Sequence, residues 1–234
     1  MTTTDIVKVP AKAWTIPEEL GVPVDPLRIR LDFHYQAIEL TEFEGDLSST
    51  RIVSAMDIMN VLSSEVGVGS GLLPPNTLWW KNTHKGPLYA IYVEPCKHKV
   101  AVSPTEPSKP LKRYEIPLPG LIFLCTAGEP PRVYAVKDRP SKATDKVYKA
   151  PLLNMFEEGR SCPGNNDYPE KPEDVILTFF ISYFSVAANV SNRSRKHPDN
   201  ILNLWKELDM KNKFPVDDLM EFCTIEELMK IGAD

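Results

Sequence analysis

Between Ala150 and Asn165 the chain reads APLLNMFEEGRSCPGN, a run that fits neither helix nor strand. Of the four cysteines, Cys96, Cys125, Cys162 and Cys223, only Cys162 lies among loop formers. A cysteine that carries an acyl group must be accessible, so a loop suits it. Asn154 lies eight residues before Cys162, and Gly159 three before it. A thioester attacked by an amine passes through a tetrahedral oxyanion. A side-chain amide such as that of Asn154 could stabilise the oxyanion or brace the loop that does so. Gly159 would let the loop turn back so that Asn154 and Cys162 meet, and Arg160 would favour the thiolate. The plain alternative is a loop with one inert cysteine, and spacing alone leaves both readings open.

Other candidate chemistry is weaker. GVGSG (Gly67 to Gly71) follows a helical pattern and runs into LLPP, so it reads as an exit loop and not as a phosphate loop. Cys96 and His98 in CKH could donate to a metal, but no second pair stands at zinc spacing, and a hairpin turn is the better reading. His34, His84 and His197 form no triad-like spacing with a serine or acid. Pro130 and Pro131 open a P-P-x-V element that fixes the backbone just before a strand. No metal or other cofactor is expected.

Composition bounds the rest. The 234 residues include 42% hydrophobic and 25% charged residues, with net charge −5, so a globular core is expected and no global basic field favours nucleic acid. The basic cluster NRSRKH (Asn192 to His197) reads as a solvated helix end. No apolar leader and no run of 18 apolar residues is seen, so no membrane span is expected. Four thiols without a CxxC pair point to the reducing cytoplasm.

The elements that must position Cys162 follow from periodicity. Leu27 to Leu40 alternates and reads as a strand, and the apolar spacing from Ser49 to Val66 reads as a helix. TLWWKN, PLYAIYVEP, HKVAVSP, KRYEIPL, GLIFLCT and RVYAVK read as short strands with connections too short for parallel crossovers. An antiparallel meander results. Helices are expected over Val175–Val190 and over DNILNLWKEL, with Thr224 capping a last short helix through a capping box with Glu227. The order gives an α+β fold in which the Ile52–Val66 and Val175–Val190 helices cover the meander.

P-P-x-V ahead of N-x4-G-x2-C resembles the ubiquitin-conjugating enzymes over roughly residues 49–208. It is most similar to their prokaryotic family D, whose relatives include the conjugating components of Bil antiphage operons and protein B of PRTRC plasmid systems. The shared pattern is Ala150-Pro151 with Asn154, then Gly159-Arg160 with Cys162 and Gly164. Phe179-Phe180, Ser182 and Phe184 follow, then His197-Pro198 and Leu204-Trp205. There are departures. Leu152 and Leu153 stand where the eukaryotic turn has histidine and proline before its asparagine, so that turn must be braced differently. Lys137 to Lys149 is an insert, and Val186 stands where some relatives have histidine.

The resemblance implies a ubiquitin-conjugating-like fold, with an N-terminal extension at residues 1–48, a catalytic domain at 49–208 and a C-terminal helical extension at 209–234. It implies that Cys162 accepts a ubiquitin-like modifier from an activating enzyme and passes it to a lysine of a target protein. Asn154 would assist, with Pro130, Pro131, Pro151, Gly159, Arg160 and Gly164 supporting the loop. A JAB-type deconjugating protease in the same operon and an antiphage role are implied too. Two rivals stand beside this: an inactive module that binds a ubiquitin-like protein, and an unrelated cysteine hydrolase.

Overall fold

The structure, a computed structural model, describes residues 29–59 and 71–231, except 84, 105, 107, 109, 165 and 186–190. The chain divides into two compact units, Met1–Gly71 and Leu72–Asp234.

In the first unit, β1 (Ile29–Phe33), β2 (Ile38–Glu44) and β3 (Leu47–Val53) form an antiparallel sheet in that order. The single strand expected from Leu27 to Leu40 is therefore broken by a turn after Phe33, closed by the His34 amide on the Ala37 carbonyl at 2.8 Å. The helix expected from Ser49 begins later. Residues 49–53 pair with residues 38–42 of β2, as suits Thr50, Ile52 and Val53. Helix α1 starts at residue 55 and is described to residue 59, capped reciprocally by Ser54 and Asp57. Residues 60–66 and most of GVGSG lie outside the described residues. Ile52, Met56 and Met59 are exposed and Ile58 is buried, so the expected inward stripe is out of phase with the helix that forms.

The second unit carries the meander. Its strands are β4 (Thr77–Thr83), β5 (Gly86–Val93), β6 (Lys97–Ser103), β7 (Lys112–Pro117), β8 (Gly120–Thr126), β9 (Arg132–Val136) and β10 (Lys146–Lys149). β5 pairs with β8 and β6 with β7, so β5–β6 and β7–β8 are two long strands of one bent hairpin. At the bend the Leu118 amide donates to the Cys96 carbonyl at 2.9 Å. Cys96 thus lies in a strand break and not in a hairpin turn. The insert after Lys137 supplies β10, whose entry turn is tied by Asp145 accepting from the Ser141 and Lys142 amides. β12 (Glu221–Thr224) pairs with β10, giving a six-stranded order β12-β10-β9-β8-β5-β4. The C-terminal segment is therefore partly strand. The expected capping box at Thr224 and Glu227 is present and starts α4 (Ile225–Lys230).

The helix α2 (Pro172–Ile181) is shorter than expected. After Ser182 the chain extends into β11 (Tyr183–Ser185), which pairs with β6 in parallel, and residues 186–190 lie outside the described residues. Tyr, Phe and Ser have modest helix propensity, and strand pairing outweighs it here. α3 (Ile201–Leu208) follows, capped by Asn200, whose side chain accepts from the Leu202 amide.

GLIFLCT is buried on both faces, which is why it reads as a continuous apolar run. Leu121, Phe123 and Cys125 face the larger core with Val175, Phe179, Phe184 and Trp205. Ile122 and Leu124 face a smaller one with Tyr134, Ile225 and Leu228. The result is an α+β fold with antiparallel sheets and few helices. Among the described residues no helix is long and apolar enough to cross a membrane.

Candidate active site

The eight-residue spacing of Asn154 and Cys162 is the register of a small hairpin. Phe156 faces Arg160, Met155 bridges Ser161, and the Cys162 amide donates to the Asn154 carbonyl at 2.7 Å. The loop is a turn in which the Gly159 amide donates to the Phe156 carbonyl at 3.0 Å and the Phe156 amide to the Arg160 carbonyl at 2.8 Å. Gly159 has φ +88°, and an added Cβ would lie 2.5 Å from the buried Tyr134 ring. Both the backbone angle and the close approach require glycine.

The cysteine arm is pinned to β9. The Ser161 amide donates to the Pro131 carbonyl at 2.9 Å, and the Val133 amide to the Gly159 carbonyl at 2.8 Å. This explains the P-P-x-V element: Pro131, which lacks an N–H, offers its carbonyl to the strand that carries Cys162. Pro130 is half-buried beside it. Beyond Cys162 the chain turns at Gly164, φ +57°, with the Asn166 amide and side chain both donating to the Pro163 carbonyl. Cys162 itself is half-buried, neither sealed in the core nor fully solvated.

Asn154 adopts φ +57°, a conformation that asparagine tolerates better than most residues. Its Nδ2 donates to the Tyr183 carbonyl at 3.2 Å and its Oδ1 accepts from the Ser185 amide at 2.8 Å. Both polar groups thus clamp β11, and one Nδ2 hydrogen remains for another acceptor. Of the two roles expected for Asn154, bracing is the one visible in the geometry. Arg160 stacks its guanidinium 4.5 Å from the Phe156 ring centroid and reaches Glu158 at 3.3 Å, so its charge is already engaged.

The other thiols differ. Cys125 is fully buried, and burial pushes it up to about 12. Burial and then Glu227 raise Cys223 to about 11. Cys96 is exposed, with Sγ 3.1 Å from His98 Nε2, and partial desolvation raises its pKa.

This hairpin, braced between β9 and β11, fits the family comparison. Residues 54–222, well over half of the chain, match the model of prokaryotic E2 family D. The chain belongs to that family. Membership of prokaryotic E2 family D suggests a ubiquitin-conjugating-like role. Searches of curated proteins and of solved structures returned no match. The match runs past residue 208 and ends within β12, taking in Glu221 and Phe222.

Three features of the site were not legible from motifs. NRSRKH is not a solvated helix end: Arg193 and Ser194 are fully buried, in a loop where the Arg195 amide donates to the Asp218 carbonyl and the Lys196 amide to Asp218 Oδ1. Trp205 Nε1 donates to the carbonyl of buried Pro151 at 2.8 Å. Tyr168 is half-buried near the thiol, and burial raises its phenol. The missing histidine before Asn154 was the one signal, since it required a brace from elsewhere. Val186 lies outside the described residues. Among the described residues no cluster of three or more His, Cys, Asp or Glu could hold a metal.

Proposed function

We propose that this protein is a ubiquitin-like-protein conjugating enzyme with a ubiquitin-conjugating-like fold at residues 49–208 and Cys162 as its acyl carrier. The Cys162 thiolate attacks the thioester between an activating enzyme and the C-terminal glycyl group of a ubiquitin-like modifier. The tetrahedral intermediate collapses, the activating enzyme's thiolate leaves, and the modifier rests on Cys162. A neutral lysine amine of the target then attacks that carbonyl. Cys162 leaves as thiolate, the amine nitrogen gives up its proton to solvent, and an isopeptide bond remains. No redox change occurs, and the activating enzyme consumes the ATP, so no cofactor is required here.

The observation that carries this reading is the hairpin that sets half-buried Cys162 opposite Asn154, in a chain of prokaryotic E2 family D. Asn154 serves by holding β11 against the site, with its remaining N–H available to an oxyanion. Pro130, Pro131, Pro151, Gly159, Arg160 and Gly164 support the loop. A cytoplasmic setting, a target protein, and an operon that also encodes the activating enzyme, the modifier and a JAB-type protease belong to the same proposal, with antiphage defence as its context.

The test is a non-reducing gel with activating enzyme, ATP and modifier, followed by a lysine chase. A reductant-labile adduct that lysine discharges supports the proposal. No adduct, with a demonstrably charged activating enzyme, favours an inactive binding module. Hydrolysis of simple esters or amides by Cys162 without any modifier favours a hydrolase.

A further inference from the structure

The segment that carries Asn154 meets its hydrogen-bonding needs only in part with its own residues: the Leu152 amide donates to the Ala150 carbonyl at 2.8 Å and the Gly159 amide to the Phe156 carbonyl at 3.0 Å. Leu152 and Leu153 are fully buried, and Ala150, Pro151 and Met155 lie in the core with them. Backbone carbonyls taken into such a core need donors, because an unpaired one loses its hydration without replacement. No polar side chain precedes Asn154 in this stretch to supply them.

Further donors come from far along the chain. Arg193 Nη1 donates to the Ala150 carbonyl at 3.0 Å, and Nη2 to the Phe156 carbonyl. One guanidinium therefore spans the segment from a point before Asn154 to a point after it. Trp205 Nε1 takes the Pro151 carbonyl between them. Only arginine presents two donors in a rigid planar fork; a lysine ammonium at the same place is a single point charge.

The guanidinium is buried without a carboxylate partner: Arg193 is 1% exposed, makes no ion pair among the described residues, and its Nε has no acceptor. Burial pushes its pKa down to about 10 against the opposing charges of Glu157 and Glu158, which still leaves it protonated at neutral pH. A core that only needed filling would not keep a cation there with no ion pair.

The circuit also closes. Asn154 grips Tyr183 and Ser185 of β11, and Phe184 between them meets the Trp205 ring edge-on at 5.2 Å. Arg193, Trp205, the Ala150–Phe156 segment and β11 thus fix one another. Movement at any member reaches Asn154 and, through its carbonyl, the amide of Cys162.

We infer that Arg193, backed by Trp205, is the positioning residue of this site: it ties together the two flanks of Asn154 and so holds Asn154 in register with Cys162. Its kinetic consequence rests on the acyl-transfer reading; its geometric consequence does not.

The experiment uses the full chain with Arg193→Lys and Arg193→Met, compared with wild type by loading, lysine discharge and amide hydrogen exchange. Loss of a buried charged hydrogen bond predicts that the Cys162 and Ser185 amides exchange about 10- to 100-fold faster in Arg193→Met. The β8 amides should keep their protection. Lysine discharge should fall by a similar factor while loading by the activating enzyme changes little, with Arg193→Lys intermediate. If Arg193→Met does not fold, Arg193→Lys and Trp205→Phe, which removes the Nε1 donor and keeps the ring, decide the matter by the same exchange measurement. Unchanged Cys162 and Ser185 exchange in a folded variant overturns the inference, as does exchange that rises equally in β8. Should wild type carry no adduct at all, the conjugation reading fails, and the exchange result still decides the positioning role.

Discussion

Two of the protein's thiols, Cys96 and Cys162, reach its surface in different ways. Cys96 sits in the bend between β5 and β6, exposed, with an imidazole nitrogen 3.1 Å from its sulfur. Cys162 sits at the end of a braced hairpin, half-buried, and among the described residues no imidazole hydrogen-bonds it. A search for a cysteine beside a histidine would choose Cys96. Its surroundings argue otherwise. His98 stacks on Phe180, with ring centroids 3.9 Å apart, and burial pushes the imidazole down to about 4. A neutral imidazole cannot stabilise a thiolate by charge, and the partly desolvated Cys96 thiol is itself raised. For an acyl carrier the relevant features are instead a fixed backbone, partial access and groups arranged around the carbonyl. Those belong to Cys162.

The comparison breaks most sharply on the cysteines themselves. Cys162→Ala should abolish loading, whereas Cys96→Ala, Cys125→Ala and Cys223→Ala should still load if folded, as a non-reducing gel would show. The next effect is on rate. Asn154→Ala should load nearly normally but discharge to lysine about 10²–10³-fold more slowly, the typical cost of losing one oxyanion donor or its brace. Equal slowing of both steps would place Asn154 in the fold alone.

Rigidity of the Cys162 hairpin can be tested by stability. Gly159→Ala forces a side chain into the Tyr134 ring at positive φ and should cost about 2–4 kcal/mol in denaturant unfolding. Gly86→Ala, at φ +106° with no atom within 4 Å of the added Cβ, should cost only about 1 kcal/mol. Similar costs would show that the hairpin yields easily.

The smallest effect belongs to the Cys96 side. His98 is held near 4 in the folded chain against an ordinary value of 6.5, so between these values the unfolded chain binds more protons. Stability should therefore rise as pH increases from about 4 to about 6.5 and be lost as pH falls through that window. After allowance for solvent screening the His98 share is about 1–2 kcal/mol. His98→Phe should flatten it, and an unchanged pH profile of unfolding would contradict a half-buried, neutral His98.

The same contrast explains what could be read without coordinates. The six strands from TLWWKN to RVYAVK are legible because short β-rich runs bounded by turn residues leave few alternatives. The Thr224 cap is legible because it is local. β11 is not, since three residues at the end of an apolar helical run become strand only through pairing with β6 and the grip of Asn154. Ile52 misled because a β-branched residue can match a helical stripe by accident while its backbone pairs with β2. At the site, Asn154, Cys162, Gly159 and the proline pair carried local signals. Arg193 did not: in NRSRKH an arginine reads as solvated, and only the carbonyls 37 and 43 residues earlier reveal its place.

The central claim is that Cys162 carries an acyl group, and Cys162→Ser tests it most directly. An alkoxide leaves far less readily than a thiolate, so serine should trap the modifier as an oxyester that survives reductant. After charging by the activating enzyme with ATP and modifier, peptide mapping by mass spectrometry should find the modifier's C-terminal glycyl remnant on residue 162 of that variant, and a reductant-labile thioester at the same position in wild type. A remnant on Cys96 or a lysine, with residue 162 unmodified in both proteins, would contradict the account.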